Sequence, residues 1–183
     1  MMPEISLNIL DVAQNSVTAG SSLTEIAISI DNARDTLEVL IADNGRGMTP
    51  EQVENVTDPF FTTRTTRKVG LGVPFLKMAA EQTGGRLHIE SAPGKGTKTR
   101  AVFGLAHIDR MPVGDISATM VSMIGPNPDK DFIFRYSVDD DGFILDTREM
   151  KEVLEGVPLN QPEVLRYISD FINENIDATG VRY

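Results

Sequence analysis

Asp43-Asn44-Gly45-Arg46-Gly47-Met48-Thr49-Pro50 closes one alternating apolar run and opens a helix. Upstream, Leu37, Val39 and Ile41 alternate, as do Ile26, Ile28 and Ile30, and Asp31-Asn32-Ala33-Arg34-Asp35 separates the two runs. That pattern predicts a β-hairpin ending at Asp43. Downstream, Thr49-Pro50-Glu51-Gln52 is a helix start, with a Thr cap, Pro in the first turn and Gln three residues on. A carboxylate at the strand end can accept a hydrogen bond from the exocyclic amine of adenine, and the glycines let backbone pass close to a flat ring. A plain turn has the same residues. The dinucleotide fingerprint is excluded, because Pro50 stands where its third glycine would be.

Outward from this stretch the pattern stays regular. Residues 4–19 read as a helix with Ile5, Ile9, Val12 and Ala13 as its apolar stripe, ended by Gly20. Thr57 to Gly70 has no period and is rich in Thr and Arg, which predicts a loop. Residues 72–83 form a helix closed by Gly84-Gly85, and strands at 86–92 and 97–105 flank the turn Pro93-Gly94-Lys95-Gly96. Beyond residue 105 the pattern predicts a helix at 115–124 and strands at 132–138 and 143–145. A helix at 147–155 and another after the capping signature Asn160-Gln161-Pro162-Glu163 follow. The turn Asp139-Asp140-Asp141-Gly142 invites a calcium reading. In that register Ser137 and Arg148 would fill the first and twelfth ligand positions, so a hairpin turn is expected.

Four segments carry chemistry. Asp11 and Asn15 lie four apart on the first helix and share a face, with Asn8 nearby. Either this face is merely solvated, or the Asn15 amide oxygen ligates magnesium and Asp11 serves as a base. Gly70-Leu71-Gly72 enters a helix, where backbone N–H groups and the helix dipole suit a phosphate. The loop before it carries Thr62, Thr63, Arg64, Thr65, Thr66, Arg67 and Lys68, donors able to close over phosphates or a surface loop without that role. Gly94-Lys95-Gly96-Thr97 lacks the P-loop spacing and fits a strand-connecting turn, with the Thr97 hydroxyl available to the adenine end of a pocket.

In this order the segments resemble the GHKL superfamily of gyrase subunits, heat-shock chaperones, histidine kinases and MutL-type ATPases. Asp11 to Gly20 resembles its N box, closest to the MutL-like form. Asp43 to Gly47, Gly70 to Gly72 and Gly94 to Thr97 resemble its three glycine boxes, and Asp58-Pro59-Phe60-Phe61 resembles the phenylalanine box before the ATP lid. The resemblance covers residues 5–105. It implies an α+β fold, a two-layer α/β sandwich of the Bergerat type with a mixed sheet, to which residues 106–183 add an α-β-β-α-α extension. It implies ATP and Mg2+ as cofactors of a stand-alone bacterial ATP-binding protein. It also implies Asp11 as the catalytic base, at a position where many members place Glu, and Asn15 as the metal ligand. The nucleotide set it implies is Asn15, Asp43, Gly45, Gly47, Met48, Phe61, Thr62, Thr63, Arg64, Lys68, Gly70, Leu71, Gly72, Val73 and Thr97.

Composition limits the partners. The chain has 183 residues, no cysteine and a formal charge of −10. Disulfides and thiolate metal sites are excluded, nucleic acid is disfavoured as a partner, and no apolar run approaches a membrane span. A cytoplasmic protein is expected. Residues 1–105 carry 10 basic and 12 acidic residues, whereas 106–183 carry 7 and 15, which marks the extension as a surface for docking a protein partner. The superfamily's sensor kinases carry a phosphoacceptor hairpin ahead of this domain. Here the N box lies at the chain's start, and neither His88 nor His107 lies on a convincing acceptor helix. Three functions are therefore expected to compete: phosphoryl transfer to a partner, an ATP-driven binding switch, and an ATPase half that borrows its acceptor.

Overall fold

The computed structural model describes residues 4–58 and 71–180. The first part forms α1 (Ile5–Thr18), β1 (Leu23–Asp31), β2 (Thr36–Asp43), α2 (Pro50–Asn55), α3 (Gly72–Gln82), β3 (Arg86–Ser91) and β4 (Thr97–Gly104). The second forms α4 (Ile116–Ile124), β5 (Asp131–Val138), β6 (Asp141–Asp146), α5 (Thr147–Val153) and α6 (Pro162–Ala178). The expected α-β-β-α-α order after residue 105 is present.

Period-two alternation places Ile26, Ile28 and Ile30 of β1 and Leu37, Val39 and Ile41 of β2 on one face of the hairpin, all buried. Ala101 and Phe103 of β4 and Phe132, Phe134 and Tyr136 of β5 extend that apolar face. The helices cover it with Ile5, Ile9 and Val12 from α1, Leu76 from α3, Met120 and Ile124 from α4, and Ile168 and Ile172 from α6. Each fully buried side chain of this size contributes roughly 1.5–3 kcal/mol. α1 packs against both α3 and α4, and α4 packs on α6. The result is the expected two-layer α/β sandwich.

The sheet is mixed and has the order β3-β4-β2-β1-β5-β6. All neighbours are antiparallel except β1 and β5, which pair in parallel from Leu23↔Asp131 to Ile30↔Val138. Residues beyond 105 thus extend the same sheet. They also hold the start of α1, whose Ile5 and Ser6 N–H groups donate to the Pro112 and Val113 carbonyls at 3.0 and 2.8 Å.

Local signals account for most boundaries. Thr49 and Gln52 form the expected capping box: Gln52 N–H donates to Thr49 Oγ1 at 3.3 Å and Thr49 N–H to Gln52 Oε1 at 2.9 Å. The capping signature at 160–163 behaves differently. Gln161 precedes α6 but makes no side-chain cap hydrogen bond, so Pro162, with its fixed φ, marks the helix start. The acidic turn after β5 is a hairpin turn whose Asp139 ties two turns together. Its carboxylate accepts from the Asn32 backbone N–H at 2.8 Å and from Asn32 Nδ2 at 2.9 Å. These hydrogen bonds, the backbone one foremost, hold the Asp139 carboxyl below the ordinary aspartate range. Among the described residues, no helix is long and apolar enough to cross a membrane.

Candidate functional site

Asp43 ends β2 with both carboxylate oxygens engaged: Oδ2 accepts from Ser16 Oγ at 2.7 Å and Oδ1 from Gly45 N–H at 2.8 Å. The first bond crosses from α1 to the sheet, and Ser16 is 3% exposed. The second fixes the turn leaving the strand. The neighbouring Asn44 points elsewhere. Its Oδ1 accepts from Ser22 and Leu23 N–H at 2.9 and 3.0 Å, clamping the loop after α1. A plain-turn role therefore suits Asn44, while Asp43 is aimed at α1.

The glycines mark close backbone approaches. At Gly96 (φ +78°) a Cβ would overlap the Asp43 carbonyl, and at Gly47 (φ +66°) it would overlap the Ala92 carbonyl. Gly45 lies so near α1 that a Cβ would come within 2.9 Å of Ala19 Cβ. The first and third glycine segments are thus pressed together, with Gly94 N–H donating to Arg46 O at 2.7 Å. Gly96→Ala combines a left-handed backbone with a backbone clash, and is expected to cost about 2–4 kcal/mol. A chemical denaturation midpoint equal to the parent's would refute this.

Thr97 is the register partner of both Asp43 on β2 and Ser91 on β3. Ser91 Oγ donates to the Gly96 carbonyl at 2.8 Å, accepts from Met48 N–H at 2.9 Å and lies 3.0 Å from Thr97 Oγ1. Asp43, Met48, Thr97 and the glycines therefore form one end of the site.

At the other end, Asp11 lies against the start of α3. A Cβ on Gly72 would overlap Oδ2 of Asp11, so only glycine lets that carboxylate sit there. The residue before α3, Leu71, supplies no side-chain cap. Gly72 and Val73 contribute first-turn N–H groups, and Pro74 has none. An anion beside these groups is favoured by the helix dipole. Asn15 is half-buried one turn after Asp11. Asn8, on the same side of α1, is buried, donates from Nδ2 to Glu4 O at 3.2 Å, and leaves its Oδ1 without a hydrogen-bond partner.

α1 links the two ends, since Ser16 bonds Asp43 and Asp11 abuts Gly72, five residues or roughly 7.5 Å along the axis. Phe61, Thr62, Thr63, Arg64, Lys68 and Gly70 lie outside the described residues. Sequence reasoning missed Ser16 and Ser91. A hydroxyl four residues after Val12, on the apolar stripe, was the available signal for Ser16. For Ser91 it was the cross-strand position opposite Thr97. His88 is exposed on β3 with Nε2 3.2 Å from Glu90 Oε1, and His107 Nδ1 accepts from Asp109 N–H at 3.2 Å.

Comparison with known proteins matches residues 4–107 to the family described as histidine kinase-, DNA gyrase B- and HSP90-like ATPase. The sensor histidine kinase ZraS of Klebsiella oxytoca is 36% identical over 89 residues, 48% of this chain and 19% of that protein. The sensor protein SrrB of Staphylococcus aureus (strain NCTC 8325 / PS 47) is 34% identical over 101 residues, 52% of this chain and 17% of that protein. The chain thus spans under a fifth of the length of these relatives. A crystal structure of the N-terminal domain of a DNA repair protein superposes with a TM-score of 0.53 at 14% identity, covering 79% of this chain and 53% of that one. At that identity the likeness is one of fold.

Proposed function

Because the chain belongs to the histidine kinase-, DNA gyrase B- and HSP90-like ATPase family, we propose that it binds Mg-ATP between α1, the β2–α2 turn and the start of α3, and transfers the γ-phosphoryl group to a partner protein. Asp43 accepts from the adenine amine, with Met48 and Thr97 beside the ring. The glycines at 45, 47 and 96 let the backbone around Asp43 pack closely, since a Cβ at each would overlap neighbouring backbone or side chains. The start of α3, with Leu71, Gly72 and Val73, faces the phosphates. Asn15 would hold the magnesium ion, which would neutralise charge on the phosphates. Asp11 accepts the proton of the attacking hydroxyl. The acidic segment 106–183 is the docking surface for the partner, and the cytoplasm is the compartment in which ATP and that partner meet.

One observation carries this reading: α1 brings Ser16 to Asp43 and, five residues earlier, Asp11 to Gly72. One helix thereby joins a purine-type acceptor to a phosphate-type helix start. Calorimetric titration of the full chain with ATP tests it. Saturable binding that weakens at least tenfold when magnesium is chelated is expected. No binding at millimolar ATP would overturn the reading. Incubation with γ-labelled ATP and cell extract then separates transfer from a switch. Label on a protein Ser, Thr or His supports transfer, whereas binding with no labelled acceptor favours an ATP-dependent binding module.

A further inference from the structure

The six-stranded sheet has two rims, and they differ in kind. β3 is blunted: Arg86, His88 and Glu90 are exposed at alternate positions, and α2 packs against the strand. Charges spaced in this way discourage a further strand from pairing. β6 has no such protection. Its centre, Gly142-Phe143-Ile144-Leu145, holds neither a charge nor a proline. Among the described residues nothing pairs with its outer side. In an antiparallel pair, alternate residues turn their N–H and C=O groups away from the partner strand. Three of the six residues in β6 therefore offer them outward.

Side chains on both faces extend this rim. On the helix side, aromatic rings run from the buried Phe134 through Phe143 to Phe171 and Tyr167. Phe143 meets Phe134 and Phe171 at 5.8 Å between ring centroids, and Tyr167 stacks on Phe171 at 6.2 Å. Tyr167 ends the row 60% exposed. Glu163, Asp170 and Glu174 are exposed on the same side of α6 as that ring. α6 carries one basic residue, Arg166, against four acidic ones. The cations of α5 do not offset them, since Arg148 pairs with Asp146 at 2.6 Å and Lys151 with Asp131 at 2.7 Å. On the opposite face of β6, Ile144 is 53% exposed, with Arg135 across from it on β5.

We infer that β6 is a docking edge for an extended segment of a partner protein in which basic and apolar residues alternate. The segment adds a seventh strand, paired with β6 through main-chain N–H and C=O groups. Period two sends its basic side chains to the α6 side, over the Tyr167 ring and among Glu163, Asp170 and Glu174. Its apolar side chains go to the other face, against Ile144. A second copy of this chain fits poorly. Pairing β6 with β6 would bring together two extensions of 15 acidic and 7 basic residues each. That edge narrows the docking surface proposed above for residues 106–183 and rests on that docking reading, but it needs no nucleotide.

A phage-displayed library of short random peptides, selected on the full chain, tests this. Enriched sequences are expected to alternate basic and apolar residues. A synthetic peptide of the enriched sequence should slow amide hydrogen exchange in 141–146. Tyr167→Ala removes the exposed ring, and Ile144→Lys places a charge on the rim. Each should weaken that peptide by about tenfold or more. Both residues are exposed, so thermal melting should match the parent's, and if one variant fails to fold the other decides. His88→Ala, on the opposite rim, should leave binding unchanged. Enriched peptides that bind both variants as tightly as the parent, or that protect a part of 106–183 other than 141–146, overturn the edge and leave the docking reading standing. Peptides that protect only residues before 106, or an empty selection, overturn both. A parent that sediments as a dimer with 141–146 already protected overturns the partner in favour of self-pairing.

Discussion

Asp43→Asn should abolish ATP binding at concentrations that saturate the parent, a loss of about a hundredfold or more. The carboxylate accepts from Gly45 N–H through Oδ1 and from Ser16 through Oδ2. An amide keeps one acceptor oxygen, and the backbone N–H of Gly45 cannot reverse its polarity, so that oxygen is held there. The new NH2 group then occupies the Oδ2 position, where the Ser16 hydroxyl can rotate to accept from it. An adenine amine arriving at that point meets a donor in place of an acceptor. The fold should change little, because both internal contacts survive, the one to Ser16 with its polarity reversed. Calorimetric affinity within threefold of the parent would show that adenine does not use Asp43.

Asp11→Ala should separate binding from turnover. The carboxylate lies against Gly72 at the start of α3, close to where phosphates are proposed to sit. Its removal takes an anion away from a helix N-terminus, so ATP affinity should stay level or rise slightly through reduced repulsion. Phosphoryl transfer or hydrolysis should fall by about 10²–10⁴, the ordinary contribution of a positioned general base. A steady-state rate equal to the parent's would remove Asp11 from the chemistry. A parallel loss of affinity would assign it to binding instead. The Asp side chain is a methylene shorter than the Glu that the resemblance places in many members at this position, and the glycine at 72 leaves space for its carboxylate against the start of α3.

Most of the fold was legible because its signals are local. Alternation in 26–30 and 37–41 gave β1 and β2, and Gly20, with φ +76°, ended α1. The Thr49–Gln52 box lies within four residues of sequence. What stayed hidden is non-local. Nothing in the alternation of Phe132, Phe134 and Tyr136 says that β5 joins β1, since the strands are about a hundred residues apart and any apolar edge would suit them. Ser16 and Asp43 lie 27 positions apart, and a serine on an apolar stripe resembles an ordinary small core residue until its partner is seen. The Asn160–Glu163 signature misled in detail because proline starts a helix without help from a side-chain cap.

The parallel junction between β1 and β5 determines what can be separated from what. Cut away residues 131–138 and the nine-residue β1 would become a bare rim, its outward N–H and C=O groups left facing water and open to any passing chain. Removing the whole stretch from 106 onward would also strip α1 of α4 along its flank and of the two carbonyls that receive its first N–H groups. The helix that carries Asp11, Asn15 and Ser16 would then stand half uncovered. The family-matched half is therefore no detachable cassette, and a tug on the acidic extension is mechanically a tug on the helix that carries Asp11.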